Sequence, residues 1–225
     1  MDLKSNQSWL KALDFFAAIP VMAWLSYNCG QLVVALVVEA RSFYGEPHVS
    51  LGLKIANQSL AIAFFVFQIV LFALRPVAKE KSRGLLPRFA AIFTILAGLL
   101  YFYAPAANSG NLVQGIAAVF GATGTFLAIY ALSWLGRSFS ILPEARRLVT
   151  DGPYRIVRHP LYVAEALSTL GITLQLQQPV GIFIALAIYL GQFARMGYEE
   201  EVLERSFPEY AEYRKRTFRL IPYIY

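Results

Sequence analysis

The chain of 225 residues holds two histidines, and one of them, His159, stands in the block Gly152-Pro153-Tyr154-Arg155-Ile156-Val157-Arg158-His159-Pro160-Leu161-Tyr162. This cationic, aromatic block lies between long apolar runs. Unpaired polar groups in hydrocarbon cost several kcal/mol each, so the block must sit in water or line a protected site. A second cluster, Arg195 to Glu204, follows the last apolar run. Arg195 and Glu199 are four residues apart, on one helical face about one turn from each other, where they form a pair at the membrane boundary. Glu200, Glu201 and Glu204 fall on other faces and are expected to be solvated. Cations, carboxylates, an imidazole and tyrosines together suit a ligand of mixed charge and offer acid-base groups.

The elements that position these residues are helices. Pro160 disfavours helix at His159 but suits a first helical turn, so a helix is predicted to start there and carry Leu161 to Thr173 into the membrane. Its free N–H groups and positive dipole end then face the same region as His159, which favours an anionic group such as a carboxylate. With 57% hydrophobic and only 15% charged residues, the chain is more apolar than a soluble domain, in which about a quarter of residues are charged. Runs near 14 to 38, 55 to 74, 89 to 104, 112 to 135, 161 to 175 and 179 to 194 supply about six spans. The expected fold is an all-α, multi-span transmembrane helical bundle with a C-terminal helical segment. The first run is too long for the core of a signal sequence and reads as a retained span.

Charge is distributed unevenly among the connections. Arg75, Lys79, Lys81, Arg83 and Arg88 follow the second run; Arg137, Arg146, Arg147, Arg155 and Arg158 follow the fourth; Arg205, Arg214, Lys215, Arg216 and Arg219 crowd the tail. The connections 105–111 and 174–179 carry no charge. This asymmetry places both termini, the basic loops and the tail on the cytosolic side and turns the 39–54 loop outward, with Glu39 and His48 solvated on it. Basic residues beside a membrane meet anionic lipid headgroups rather than nucleic acid. Cys29 is the single cysteine, which excludes an intramolecular disulfide and a cysteine-based metal site.

No repeat or long linker divides the chain, so residues 1–225 are expected to form a single membrane domain, with 1–135 mainly scaffold and 136–222 carrying the polar clusters. The stretch Gly121-Ala122-Thr123-Gly124-Thr125 has the glycines of a nucleotide loop but lies inside a span, where small residues let helices approach.

Several short patterns in this second part occur together: Leu148-Val149-Thr150-x-Gly152-x-Tyr154, Arg158-His159-Pro160-x-Tyr162, Glu199-Glu200-x-x-Leu203-x-x-x-Phe207, Tyr210-x-x-Tyr213 and Ile221-Pro222. In order and spacing the chain resembles the isoprenylcysteine carboxyl methyltransferase and phospholipid methyltransferase family of integral membrane enzymes. The resemblance covers roughly residues 136 to 222 and implies an enzyme that uses S-adenosylmethionine without a Rossmann domain, at a site on the cytosolic edge of the bundle. It implies that Arg146, Arg147, Leu148, Val149 and Tyr154 wrap the cofactor. It further implies that His159, Pro160, Leu161 and Tyr162 line the cofactor's amino-acid and ribose end, and that Glu199 and Glu200 hold it from the last long helix. Arg195 matches the arginine that faces the reacting group, the catalytic position. Four positions depart from the pattern: Ala164 and Pro208 stand where relatives have glycine, Arg146 where the carboxyl methyltransferases have histidine, and Phe139 where they have a polar amide.

The implied reaction is methyl transfer to a lipophilic, membrane-embedded acceptor, either a carboxylate or an amine. A carboxylate needs no base and would be oriented by Arg195; an amine must lose a proton, for which Glu199, Glu200 or His159 are the candidates. Two other readings remain open: an NADPH-dependent membrane reductase with a related C-terminal region, and a non-catalytic transporter or scaffold. NADPH demands an Arg or Lys cluster for its 2′-phosphate, whereas Glu199 and Glu200 favour a donor bearing an ammonium. A transporter concentrates ionisable groups near the midplane, whereas here they gather at the boundary.

Overall fold

The computed structural model describes residues 3–45 and 49–224, so His48 lies outside the described residues. Seven α-helices carry the described chain: α1 (Leu3–Gly45), α2 (Val49–Leu74), α3 (Leu86–Leu99), α4 (Asn111–Leu135), α5 (Pro160–Thr173), α6 (Val180–Ser206) and α7 (Tyr210–Arg216). The six apolar runs all fall on helices, and the structure is an all-α membrane bundle. Four segments are long and apolar enough to span a bilayer: Ala18–Phe43, Leu51–Leu74, Asn111–Ser138 and Val180–Ser206. The helices α3 and α5 have 14 residues each. At 1.5 Å per residue they reach ~21 Å against a hydrocarbon core of ~30 Å. Phe16, Val34, Phe126 and Leu190 lie exposed on the helix surfaces, as lipid-facing side chains do.

Four helices pack in the order α1, α2, α4, α5, while α3 packs on α6. Small residues bring α4 and α5 together. A Cβ on Gly124 would lie 2.4 Å from the Ser168 amide nitrogen, and one on Gly171 would lie 2.7 Å from the carbonyl oxygen of Ala117 and the amide of Gly121. The glycines of 121–125 therefore serve helix contact, as their position inside a span predicts. Gly124→Ala is expected to cost about 1–3 kcal/mol by overpacking. Gly115→Ala, where no neighbour lies within 4 Å, should stay within about 0.5 kcal/mol of wild type. Thermal unfolding in detergent measures both.

The loops at the two ends of the bundle pair with one another. At one end the uncharged connections meet: Ala107 N donates to Gln175 O at 2.8 Å and Gln177 N to Pro105 O at 2.9 Å. At the other, the basic 75–88 loop forms strand β1 (Glu80–Lys81), antiparallel to β2 (Glu144–Ala145) in the loop after α4. The ladder is extended by Lys79 N to Ala145 O at 2.7 Å and Ser82 N to Pro143 O at 3.0 Å. The basic connections thus share one end, consistent with the charge asymmetry in the sequence.

Candidate active site

The loop between α4 and α5 folds back over the basic end of the bundle. Gly152 makes its sharp turn at φ +60°, with the Trp134 ring packed where a Cβ would stand. A short 3-10 turn, Gly152–Arg155, then places Tyr154 in the interior. Pro160 opens α5 in its first turn and leaves His159 as the N-cap residue, with φ −124°. The stretch before α5 pairs with the tail: Arg158 N donates to Phe218 O at 2.8 Å, His159 N to Arg219 O at 3.1 Å, and Phe218 N to Ile156 O at 3.1 Å. Tyr213 Oη closes the same layer by donating to Tyr154 O at 2.7 Å.

Glu200 anchors this layer. Its Oε1 lies 2.9 Å from Arg158 Nε, 3.1 Å from His159 Nε2 and 3.3 Å from Arg219 Nε. The residue is buried, so the expectation of a solvated Glu200 is corrected: the loop before α5, the start of α5 and the tail supply cations that the helix face alone does not reveal. Arg158 Nη1 also donates to Thr217 O at 2.5 Å and to Arg214 O at 3.2 Å. Such geometry satisfies a buried carboxylate and explains its place inside the protein.

One turn along, α5 and α6 meet through polar side chains. Tyr162 Oη donates to Glu199 Oε1 at 2.5 Å, and Gln192 Nε2 donates to Glu165 Oε2 at 3.0 Å. Between these rungs, Arg195 packs over the Tyr162 ring at 5.3 Å, lies 3.7 Å from Glu199 and donates from Nη2 to Ile141 O at 2.9 Å. Arg195 and Glu199 therefore share a face as their spacing requires, and α5 completes their surroundings.

A cavity of about 320 Å³ opens at this junction, within the ~300–1,000 Å³ range of small-molecule sites. Ten of the twelve site residues expected from the sequence line it: Arg146, Arg147, Leu148, Val149, Tyr154, His159, Leu161, Tyr162, Arg195 and Glu199. Pro160 and Glu200 do not; Pro160 is buried in the helix start, and Glu200 is engaged by Arg158, His159 and Arg219. The polar end of the cavity continues into an apolar end of Trp24, Phe64, Phe65 and Ile95 from α1, α2 and α3.

Within the polar end, Tyr154 Oη, Tyr210 Oη and Arg195 Nε are buried with no hydrogen-bond partner among the described residues. Buried polar groups are normally satisfied. Burial, and then the charge of a nearby glutamate, push the Tyr154 and Tyr210 phenols up, so both stay neutral donors. Tyr154→Phe is accordingly expected to leave the thermal stability of the ligand-free protein unchanged or higher, since it removes an unpaired hydroxyl.

Sequence reasoning missed Glu165, Gln68 and Gln192 as parts of this neighbourhood, and gave Tyr210 and Tyr213 no role beyond their place in the family pattern. Glu165, Gln68, Tyr210 and Tyr213 line the cavity, and Gln192 holds Glu165. For the first, a signal was present: a lone ionisable residue in an apolar run is by default a site residue.

The phospholipid methyltransferase family pattern matches residues 112–210, which include α4, α5 and the Arg195 to Glu200 cluster. This region belongs to the phospholipid methyltransferase family. Among its relatives, the cobalt-zinc-cadmium resistance protein CzcN of Cupriavidus metallidurans is 34% identical over 129 residues, 57% of this chain and 58% of that protein. Protein-S-isoprenylcysteine O-methyltransferase B of Arabidopsis thaliana is 35% identical over 109 residues, 45% of this chain and 55% of that protein. The matched part thus spans little more than half the length of these relatives. The eukaryotic intramembrane Ras methyltransferase, isoprenylcysteine carboxyl methyltransferase, shares the fold, with a TM-score of 0.56 at 18% identity over 100% of this chain and 88% of the other. The family region supplies the cavity's polar half, while Trp24, Phe64, Phe65 and Ile95 come from before it.

Proposed function

We propose that this protein is an integral membrane S-adenosylmethionine-dependent methyltransferase acting on a lipophilic acceptor. The observation that carries the reading is the single cavity in which a mixed-charge polar end with unpaired donors runs into an apolar end between the helices. The residues present fit the cofactor: it brings carboxylate, ammonium, ribose and purine groups to a wall that offers Arg147, His159, Glu199 and two neutral tyrosine hydroxyls. When bound, it supplies a methyl group already activated on a sulfonium. Arg146 to Val149 and Tyr154 would wrap it from the loop, His159, Leu161 and Tyr162 would line one end, and Glu199 would accept from its ammonium or ribose. Pro160 sets the direction of α5, and Glu200 holds His159 and Arg158 in place. Arg195, which lines the cavity and whose Nε has no hydrogen-bond partner among the described residues, would orient the acceptor's reacting group. Because the methyl is activated, the protein contributes chiefly positioning and exclusion of water.

The chain acts in this reading as one membrane domain crossing about six times, α3 and α5 as short helices, with both termini and the cofactor end on the cytosolic side. The apolar end would take an acceptor directly from the bilayer.

Calorimetric titration of the protein in nanodiscs with S-adenosylmethionine and with NADPH tests the reading. Heat with the methyl donor and none with NADPH is expected; the reverse would indicate a reductase, and no heat with either a non-catalytic protein. In the same assay Tyr154→Phe should bind the donor about tenfold more weakly, one neutral hydrogen bond.

A further inference from the structure

Three side-chain amides are buried among the described residues: Asn28, Gln68 and Gln192. Two are satisfied within the protein, Asn28 Nδ2 by donating to Trp24 O at 2.7 Å and Gln192 Nε2 by donating to Glu165 Oε2 at 3.0 Å. Gln68, only 9% exposed, forms no hydrogen bond to any described residue. Its amide is not sealed among side chains either, and the space that Gln68 borders is the cavity.

The surroundings of this amide are apolar. Phe64 and Phe65, four and three residues before it on α2, line the cavity as well, so the three share the face that meets it. Six residues separate Gln68 from the end of α2 at Leu74, about 9 Å along the helix. The basic 75–88 loop follows, so Gln68 stands between the phenylalanines of the apolar end and the polar end of the bundle. Thr94 on α3 reaches the same cavity, but its hydroxyl donates to Ala90 O at 2.8 Å and is satisfied within its own helix. A polar side chain kept in a membrane span either bonds a neighbouring helix or serves a ligand. Gln68 bonds no helix, and α2 lies before the family region 112–210, so its amide is a feature of this chain that the family pattern does not supply.

Resting on the methyl-transfer reading, we propose that Gln68 is a specificity-determining residue that holds the acceptor through an oxygen set within its apolar chain. Nε2 donates to that oxygen, be it carbonyl, ether or hydroxyl, while the reacting group lies at the polar end and the remaining hydrocarbon runs along Phe64 and Phe65. The acceptor class is then a lipid with an oxygen function behind its reacting group. A plain alkyl chain would strip the amide of water and give it nothing in return. A site built to hydrogen-bond a substrate group rejects the analogue that lacks it, because its own polar group is left without a partner.

The probes are tridecan-7-one, carbon-13 labelled at the carbonyl, and tridecane, equal in chain length and both uncharged. Each is titrated into protein in nanodiscs while tryptophan emission is followed, Trp24 being in the cavity wall. Partitioning into the lipid is common to wild type and variant, so the difference between them isolates the site. Gln68→Met, close in shape but without a donor, should weaken the ketone by about threefold to tenfold, one neutral hydrogen bond, and leave tridecane unchanged or tighter. The labelled carbonyl stretch should show a lowered, hydrogen-bonded component in wild type that Gln68→Met loses, which a purely structural role would not produce. The variant's melting temperature should be unchanged or higher, since an unpaired amide is removed. Ketone affinity and carbonyl band that are the same in both proteins overturn the proposal. So does a Gln68→Met protein that melts lower or fails to fold, because the amide would then be structural. S-adenosylmethionine is titrated into the same preparations. Donor heat without a Gln68-dependent ketone site removes the role of Gln68 alone; a Gln68-dependent ketone site without donor heat removes methyl transfer and leaves lipid recognition standing.

Discussion

Glu200→Gln is expected to lower stability more than any other single change at the site and to abolish cofactor binding with it. One carboxylate oxygen holds Arg158, His159 and Arg219, which come from the loop, the start of α5 and the tail. The amide keeps the shape but removes the charge, leaving two guanidinium groups beside each other in a buried layer. Breaking a buried ion pair by removing one partner costs about 3–5 kcal/mol. The loss should be visible as a lower unfolding temperature and as proteolysis within residues 214–219. A melting temperature within about 2 °C of wild type would show that the layer holds without its carboxylate.

Arg195→Ala carries the second large effect, on turnover. Removing a donor aimed at a reacting group lowers kcat on the order of 10²–10³-fold. Cofactor affinity should fall far less, because the loop residues and His159 remain. The substitution also leaves Glu165 and Glu199, which line the same cavity, without the guanidinium. Stability should then be partly recovered in the double variant Arg195→Ala/Glu165→Gln, with a coupling of about 0.5–3 kcal/mol in a double-mutant cycle. Strictly additive unfolding free energies would separate Arg195 from Glu165. Methyl transfer that persists at the wild-type rate in Arg195→Ala would remove Arg195 from the reaction.

Much of this arrangement is legible in the residues because its causes are local. Pro160 fixes the start of α5, apolar runs fix the helices, and the four-residue spacing of Arg195 and Glu199 fixes their common face. Glu200 was unreadable for the opposite reason: whether it meets water or cations depends on Arg219 and on the backbone pairing of 156–159 with 218–219, contacts between distant segments. The lengths of α3 and α5 follow from their ends. Leu100–Phe102 tightens into a 3-10 turn before Pro105, and the α5 run is limited by Pro160 and the bend after Thr173. Hydropathy counts apolar residues but does not see where a helix breaks. Glu165 could have been noticed in its run; its pairing with Gln192 could not, since that requires the relative rotation of two helices.

The pairing of 156–159 with 217–219 also orders events during synthesis. Helix α5 and the loop before it leave the ribosome some 60 residues ahead of the segment that seals them, as the bonds from Arg158 and His159 to Phe218 and Arg219 require. Until that segment arrives, Arg158 and His159 have no cover on the tail side and Glu200 has only part of its cation set. The newly inserted bundle therefore passes through a stage with its spans in place and its binding layer open, and the nascent protein becomes competent for its ligand only when the tail docks.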